Sequence, residues 1–311
     1  MSLAPLPQLA RLFLTDAGLE TDILFNRGID LPYFSSITLL NSEQGRQALE
    51  DYFRGFLELA SRMSSGLILE SATWRASSDW AGPLGLSEAE LDTLNYDAVH
   101  MLIRLRETYQ SRVPGIIVSG CIGPRGDGYD AGRIMAVDEA EIYHARQANV
   151  LASAGVDMLT GITMTNVPEA IGLARAAKAL EVPVAISFTV ETDGRLPTGD
   201  RLGVAVEAVD EAMANYPAYY MINCAHPTHF VSSLDEDAEW TSRIRGVRAN
   251  ASRCSHAELD AMTELDTGDI AEFAALHRDL RRQFPQINVL GGCCGTDLRH
   301  ITAIADLCLD S

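Results

Sequence analysis

Short apolar runs, many of them β-branched, recur along the chain, and a longer stretch of helical character follows each one. The runs cover residues 11–15, 67–70, 115–119, 156–160, 182–188, 219–223, 244–249 and 287–290. Most are continuously apolar, the pattern of parallel strands covered on both faces. Helices are predicted over 43–63, 87–112, 138–154, 167–180, 202–214, 228–234, 270–284 and 298–309. Ser87 and Glu90 have capping-box spacing at the start of the second. Pro168 falls where a first helical turn accepts proline. Val113-Pro114-Gly115 and Glu181-Val182-Pro183 supply turn signals before the third and fifth strands.

Strand–helix units in succession, with no Gly/Ser linker, charge block or low-complexity tract, predict one α/β domain over residues 1–311. The expected architecture is a (β/α)8 TIM barrel with a parallel eight-stranded sheet. A doubly wound open sheet is the rival. It would usually place a glycine-rich phosphate loop after the first strand, and Thr15-Asp16-Ala17-Gly18-Leu19-Glu20 is not one.

Charge narrows the partners. The 311 residues carry 43 acidic and 24 basic side chains, a net charge of −19. Such a surface repels phosphate backbones and anionic lipid, so neither nucleic acid nor membrane is an expected partner. Lys178 is the only lysine, and the arginines are scattered in the manner of ordinary surface pairs. No apolar run approaches the ~20 residues of a membrane span. The N-terminal segment lacks the basic and apolar regions of a signal peptide, so a soluble, cytoplasmic protein is expected. In that compartment the six cysteines read as free thiols or metal ligands rather than a disulfide framework.

A barrel carries its active site at the C-terminal ends of its strands. The eighth predicted strand runs into Gly291-Gly292-Cys293-Cys294-Gly295-Thr296, and the sixth ends Asn223-Cys224-Ala225-His226-Pro227. Adjacent residues on a regular strand face opposite ways, so Cys293 and Cys294 can share one site only if the backbone leaves strand geometry there. The flanking glycines permit that. Cys224 could meet them at the mouth, and three sulfurs with an open fourth position suit catalytic zinc. A thiol joining such an ion loses its proton near neutral pH and stays nucleophilic, which implies attack of sulfur on an electrophilic carbon. Buried, chemically inert cysteines are the competing reading. A redox pair is weaker, because C-x-x-C spacing is absent. Cys121, Cys254 and Cys308 are expected to be structural, with Cys121 the nearest exception. His226 suits a loop role, and His144, His229, His256 and His300 show no metal-binding spacing.

These motifs resemble the homocysteine S-methyltransferases, a family of zinc-dependent barrel enzymes. The resemblance covers most of the chain and rests chiefly on the GGCCGT run and Asn223-Cys224. It implies Cys224, Cys293 and Cys294 as zinc ligands. Asp16-Ala17-Gly18-Leu19-Glu20-Thr21 is similar to the family's DGG-type opening, where an aspartate and nearby amides hold the amino-acid end of homocysteine. Ala72 to Ser77 resembles its TYQAS-like segment, Gly120 to Pro124 its SIGP turn, and Gly155 to Leu159 its GVDLL strand.

Departures from the family pattern bear on the substrate. Ile162 stands where the family glutamate would grip the α-amino group, and burying an ammonium unpaired costs several kcal/mol. Ala17 replaces a glycine, Cys121 a serine, Trp74 a tyrosine and Arg75 a glutamine. Either Glu20 or Glu70 supplies the missing carboxylate, or the thiol has no α-amino group and Arg75 meets an anionic end. The expected substrate-binding set is Asp16, Ala17, Gly18, Glu20, Glu70, Thr73, Arg75, Asn223 and Asn250.

The expected activity is zinc-dependent methylation of homocysteine or a related small thiol by a small diffusible donor, a sulfonium or betaine. The barrel accounts for the whole chain, so no appended cobalamin or folate domain is expected. No catalytic residue beyond the metal is required, and a homo-oligomer is compatible with the outer helices. The alternatives are a barrel acting on a non-amino-acid thiol, a thiol or metal sensor without transfer activity, and a metal-dependent lyase or hydrolase.

Overall fold

The structure, a computed structural model, describes residues 6–309. The ends of the 1–311 domain reading, and the start of the segment read as lacking a signal peptide, lie outside these residues. Eight parallel strands close into a barrel in chain order, β1 pairing with both β2 and β8. They are β1 (Phe13–Thr15), β2 (Gly66–Glu70), β3 (Ile116–Ile122), β4 (Met158–Met164), β5 (Val184–Thr189), β6 (Tyr219–Asn223), β7 (Ile244–Ala249) and β8 (Val289–Gly292). Closure excludes the doubly wound open sheet. Among the described residues no helix is long and apolar enough to cross a membrane.

The long helices Glu43–Met63, Glu88–Tyr109, Val137–Ser153, Val167–Ala179, Leu202–Met213, Ile270–Gln283 and Leu298–Leu309 surround the sheet. Ser87 and Glu90 form the expected capping box. Asn166 caps the next helix but one, with Pro168 in its first turn. The sixth crossover departs from prediction. In place of one helix over 228–234 there is a short α-helix, Pro227–Phe230, followed by 3-10 turns at Val231–Ser233 and Glu239–Arg243. Ser232, Ser233, Asp235 and Asp237 compete for backbone hydrogen bonds here and disfavour a continuous helix. An unpredicted helix, His256–Asp260, starts at a capping box of Ser255 and Glu258.

Two apolar layers result. The larger lies between strands and helices, and the smaller fills the barrel with Phe13, Ile68, Ile117, Met158, Ala185, Tyr219 and Val289. Strand side chains alternate, so two residues further on each strand the inward positions are Thr15, Glu70, Ser119, Thr160, Ser187, Met221 and the side-chain-free Gly291. Asn223 and Arg248 complete this upper level. The barrel interior is therefore apolar below and mainly polar above. Strands β3 and β4 extend further than predicted, which brings Cys121 and Ile162 onto strand ends facing the mouth.

Candidate metal centre and substrate cavity

Cys224, Cys293 and Cys294 converge at the mouth, with all three sulfurs within 4.8 Å of one another. Backbone conformation produces this. Cys224 leaves β6 with a left-handed φ of 56°, a rare state for a residue with a side chain. Cys293 and Cys294 lie in a turn beyond Gly292, and Gly295 has φ 78°. Gly291 is required for a different reason: a Cβ there would collide with the side chain of Thr15. Cys224 and Cys293 are joined as a disulfide, and Cys294 is free. Burial pushes the Cys294 thiol up to about 11, partly offset by the Tyr129 hydroxyl 3.2 Å away.

The donor set fits zinc. Four-coordinate zinc with sulfur at about 2.3 Å holds neighbouring sulfurs about 3.8 Å apart, within the spacing here once the Cys224–Cys293 bond is reduced. Three soft sulfurs also disfavour magnesium and calcium. Around them, Asn223 Nδ2 lies 3.0 Å from the Cys224 sulfur, and its Oδ1 accepts from Ser187 Oγ and Thr163 N. Asn250 Nδ2 donates to the Cys224 carbonyl. Both asparagines brace the β6 end from behind and do not line the cavity.

Beside the sulfurs lies a cavity lined by Asp16, Ala17, Gly18, Glu20, Glu70 and Ile162, among others. Its polar wall is built from β1, β2 and β7. Asp16 Oδ1 is 2.8 Å from Arg248 Nη2, with both side chains buried. Arg248 reaches Asp16 from β7 across β8, where its register partner is Gly291. Arg248 also donates from Nε to the Gly292 carbonyl and from Nη2 to the Ala17 carbonyl. Burial works against its charge, but the carboxylates of Asp16 and Glu70 more than offset this and hold it protonated. Burial raises Asp16, partly offset by Arg248, and raises Glu20, partly offset by the Ser36 hydroxyl. Glu70 is pushed up to about 7 by burial, with Arg248 opposing.

Besides the two asparagines, two more expected residues lie elsewhere. Thr73 is buried behind the wall, donating to the Cys121 carbonyl. Arg75 is outside, stacked on Trp74 and Trp80 and paired with Asp127 at 3.3 Å. The Ala17 and Gly18 amides line the cavity but are already engaged by Tyr52 and Thr296. His226 caps its own helix through Thr228.

Sequence reasoning missed Arg248, Tyr129 and His256. Strand alternation was the available signal for Arg248, two positions beyond Gly246 on β7. Tyr129 stacks on His256, whose Nδ1 lies 3.1 Å from Glu191. An outer cavity of about 380 Å³ opens above the first, sharing Phe34, Trp74, Tyr129 and Cys294 with it. Asp127, Asp260, Glu264 and Asp266 line this chamber too.

The homocysteine S-methyltransferase family profile matches residues 13–308. Homocysteine S-methyltransferase 1 of Arabidopsis thaliana is 23% identical, over 93% of this chain and 91% of its own. A selenocysteine Se-methyltransferase of Brassica oleracea var. italica is 25% identical, over 93% and 86%. Among solved structures, the Escherichia coli homocysteine methyltransferase MmuM in its oxidised form aligns with a TM-score of 0.74 at 22% identity, covering 95% of each chain. Its metallated form gives 0.71 at 21% identity, over 95% of this chain and 96% of that one. The chain belongs to the homocysteine S-methyltransferase family, whose members are methyltransferases.

Proposed function

With that family membership as the premise, we propose that the protein is a zinc-dependent S-methyltransferase acting on a small thiol, homocysteine or a close relative of it. The reading treats the chain as one cytoplasmic domain that meets its substrates by diffusion. The observation that carries it is the convergence of the Cys224, Cys293 and Cys294 sulfurs at the barrel mouth. Held by these three, zinc would lower the pKa of an acceptor thiol in its fourth position.

The chain's own residues do the rest. Glycines and the left-handed Cys224 backbone fix the ligands, Asn223 and Asn250 brace them, and the charged wall takes the far end of the acceptor. The donor belongs in the outer chamber, where Phe34, Trp74 and Tyr129 with nearby Asp127 and Asp260 suit a small onium cation. In the transfer, the acceptor sulfur forms a bond to the donor methyl carbon. The methyl bond to the onium sulfur or nitrogen breaks, and its electron pair leaves with the neutral donor product. The thiol proton passes to solvent. The reduced protein is the competent form, because the Cys224–Cys293 disulfide removes two of the ligand thiolates.

The test is a mass-spectrometric product screen. Reduced, zinc-loaded protein is offered homocysteine, its des-amino analogue and other small thiols, each with S-methylmethionine, betaine or S-adenosylmethionine. A methyl thioether from at least one pair is expected. The absence of product from every pair, with stoichiometric zinc present, overturns the reading.

A further inference from the structure

Three buried polar atoms of the inner cavity make no hydrogen bond, and only one of them, Asp16 Oδ1, is faced by an opposite charge, Arg248 Nη2 at 2.8 Å. The Glu70 carboxylate oxygen Oε2 and the Arg248 nitrogen Nη1 are both buried and make no hydrogen bond. Glu70 is 5% exposed and Arg248 7%, and both line the same cavity beside the three cysteines. They do not pair with each other: among the described residues the only ion-pair partner of Arg248 is Asp16. Each orphan costs about 1–3 kcal/mol wherever its desolvation is uncompensated. Natural interiors rarely keep such groups without a use.

We propose that Glu70 and Arg248 together read the head group of an α-amino-acid thiol, Glu70 taking the ammonium and Arg248 the carboxylate. The inference rests on the reading of the site as a thiol methyltransferase and names the acceptor class. The opposite signs of the two orphans are what select a zwitterion. A purely anionic thiol satisfies Arg248 and leaves Glu70 Oε2 unpaired. A simple aminothiol does the reverse. Other groups that could hold the head are committed or unsuitable. The Ala17 and Gly18 amides bind Tyr52 and Thr296. Glu20 gives one oxygen to the Ser36 hydroxyl and strands no buried atom, and Ile162 offers the cavity only hydrocarbon. Arg75 is in the outer chamber, on the far side of Trp74.

The wall is also pre-assembled. Asp16 holds the Arg248 guanidinium through Nη2, and the Gly292 carbonyl holds Nε, which leaves Nη1 as the free donor. Glu70 rises from the end of β2, above Ile68 on the same strand face, so its position is fixed by the sheet. A ligand meeting these groups need not reorganise them, which is the condition for selectivity from buried hydrogen bonds.

Calorimetry on the reduced, zinc-loaded chain without any donor tests the assignment. The probes are homocysteine, its des-amino analogue and its decarboxylated analogue. Homocysteine is expected to bind about tenfold or more tightly than either, since each analogue strands one buried group. Glu70→Gln should abolish the preference over the des-amino analogue and keep the other preference. Arg248→Lys should weaken the preference over the decarboxylated analogue and keep the first. Glu70→Gln is isosteric and Arg248→Lys keeps the charge beside Asp16, and zinc content with thermal unfolding verifies each fold. Equal affinity of wild type for homocysteine and the des-amino analogue overturns the proposal. So does a Glu70→Gln protein that folds and still discriminates. Discrimination in a protein that methylates none of the thiols upholds this assignment and overturns only the methyl-transfer reading.

Discussion

The two walls of the inner cavity are organised in opposite ways. On the β6 and β8 side, three sulfurs are gathered by backbone: a left-handed residue at Cys224 and a glycine-bounded turn at Cys293 and Cys294. On the β1, β2 and β7 side, Asp16, Glu70 and Arg248 are gathered by charge, from the adjacent strands β1 and β2 and from β7, which barrel closure brings to the far side of β8. The sulfur wall concedes little stability, because cysteines are comfortable when buried. The charged wall concedes much, because ionic groups are held out of water with three of their atoms making no hydrogen bond. Substitution on the first should therefore abolish function while sparing the fold. Substitution on the second should change stability and selectivity together.

The largest expected effect is on the sulfur side. Cys293→Ser or Cys224→Ser in the reduced protein should remove stoichiometric zinc, read by elemental analysis. Turnover should fall by more than about 100-fold, since even outer partners of metal ligands cost 10–100-fold. Chelation of wild type should do the same. A Cys224→Ser protein that keeps full zinc would remove this wall's assigned role.

Arg248→Met breaks the comparison from the other side. It leaves Asp16 buried and unpaired, a loss of roughly 3–5 kcal/mol in denaturant unfolding. The double variant Arg248→Met/Asp16→Asn should recover most of that, because the stranded charge is gone. If the single variant is as stable as wild type, the pair is not holding the wall.

Next in size is the pH dependence that Glu70 confers. Its carboxyl is raised by burial from 4.5 to about 7 in the folded chain. The folded state therefore binds the proton more tightly than the unfolded one. Stability from this group is complete below pH 4.5, declines as pH rises and levels off above 7. The stability difference between wild type and Glu70→Gln should change by on the order of 3 kcal/mol across that window. Asp16 and Glu20 titrate in both proteins and cancel in the difference. A difference that stays flat with pH would show that Glu70 titrates in the folded chain as it does in the unfolded one.

The contrast between the walls also explains what the sequence revealed. GGCCGT is contiguous, so the sulfur motif is legible in the sequence once strand ends are inspected, and eight apolar runs were enough for the barrel. Arg248 and Glu70 are isolated letters on different strands, and only the closed sheet shows that the guanidinium meets Asp16 in the same cavity as Glu70. Strand ends were harder still: β4 runs to Met164 with an irregular register and a left-handed Thr163, which no periodicity signals. The expected carboxylate substitute was narrowed to Glu20 or Glu70, and the orphaned oxygen is the observation behind the proposal that it is Glu70.

A smaller effect follows from moving the carboxylate. Ile162 on β4 lines the same cavity as Glu70 on β2. In a Glu70→Gln background, Ile162→Glu should restore about tenfold in homocysteine affinity, about 1.4 kcal/mol. The des-amino analogue should gain nothing. Equal gains for both thiols would mean that a second carboxylate acts only on the general field of the cavity.

The smallest expected effect on acceptor binding concerns the arginine that the sequence motif singled out. Arg75 donates to the Tyr33 carbonyl and lies over the rings of Trp74 and Trp80, each 4.8 Å from its guanidinium carbon. Stacking of a largely buried guanidinium is worth about 1–2 kcal/mol, and its pairing with half-exposed Asp127 adds little. Arg75→Ala should therefore cost about 1–2 kcal/mol of stability and leave acceptor affinity within about twofold of wild type. Its effect, if any on turnover, belongs in the KM for the donor, whose chamber it borders. An acceptor KM that rises tenfold instead would transfer the anion-reading role from Arg248 to Arg75, and the buried guanidinium would then be a structural counter-ion to Asp16.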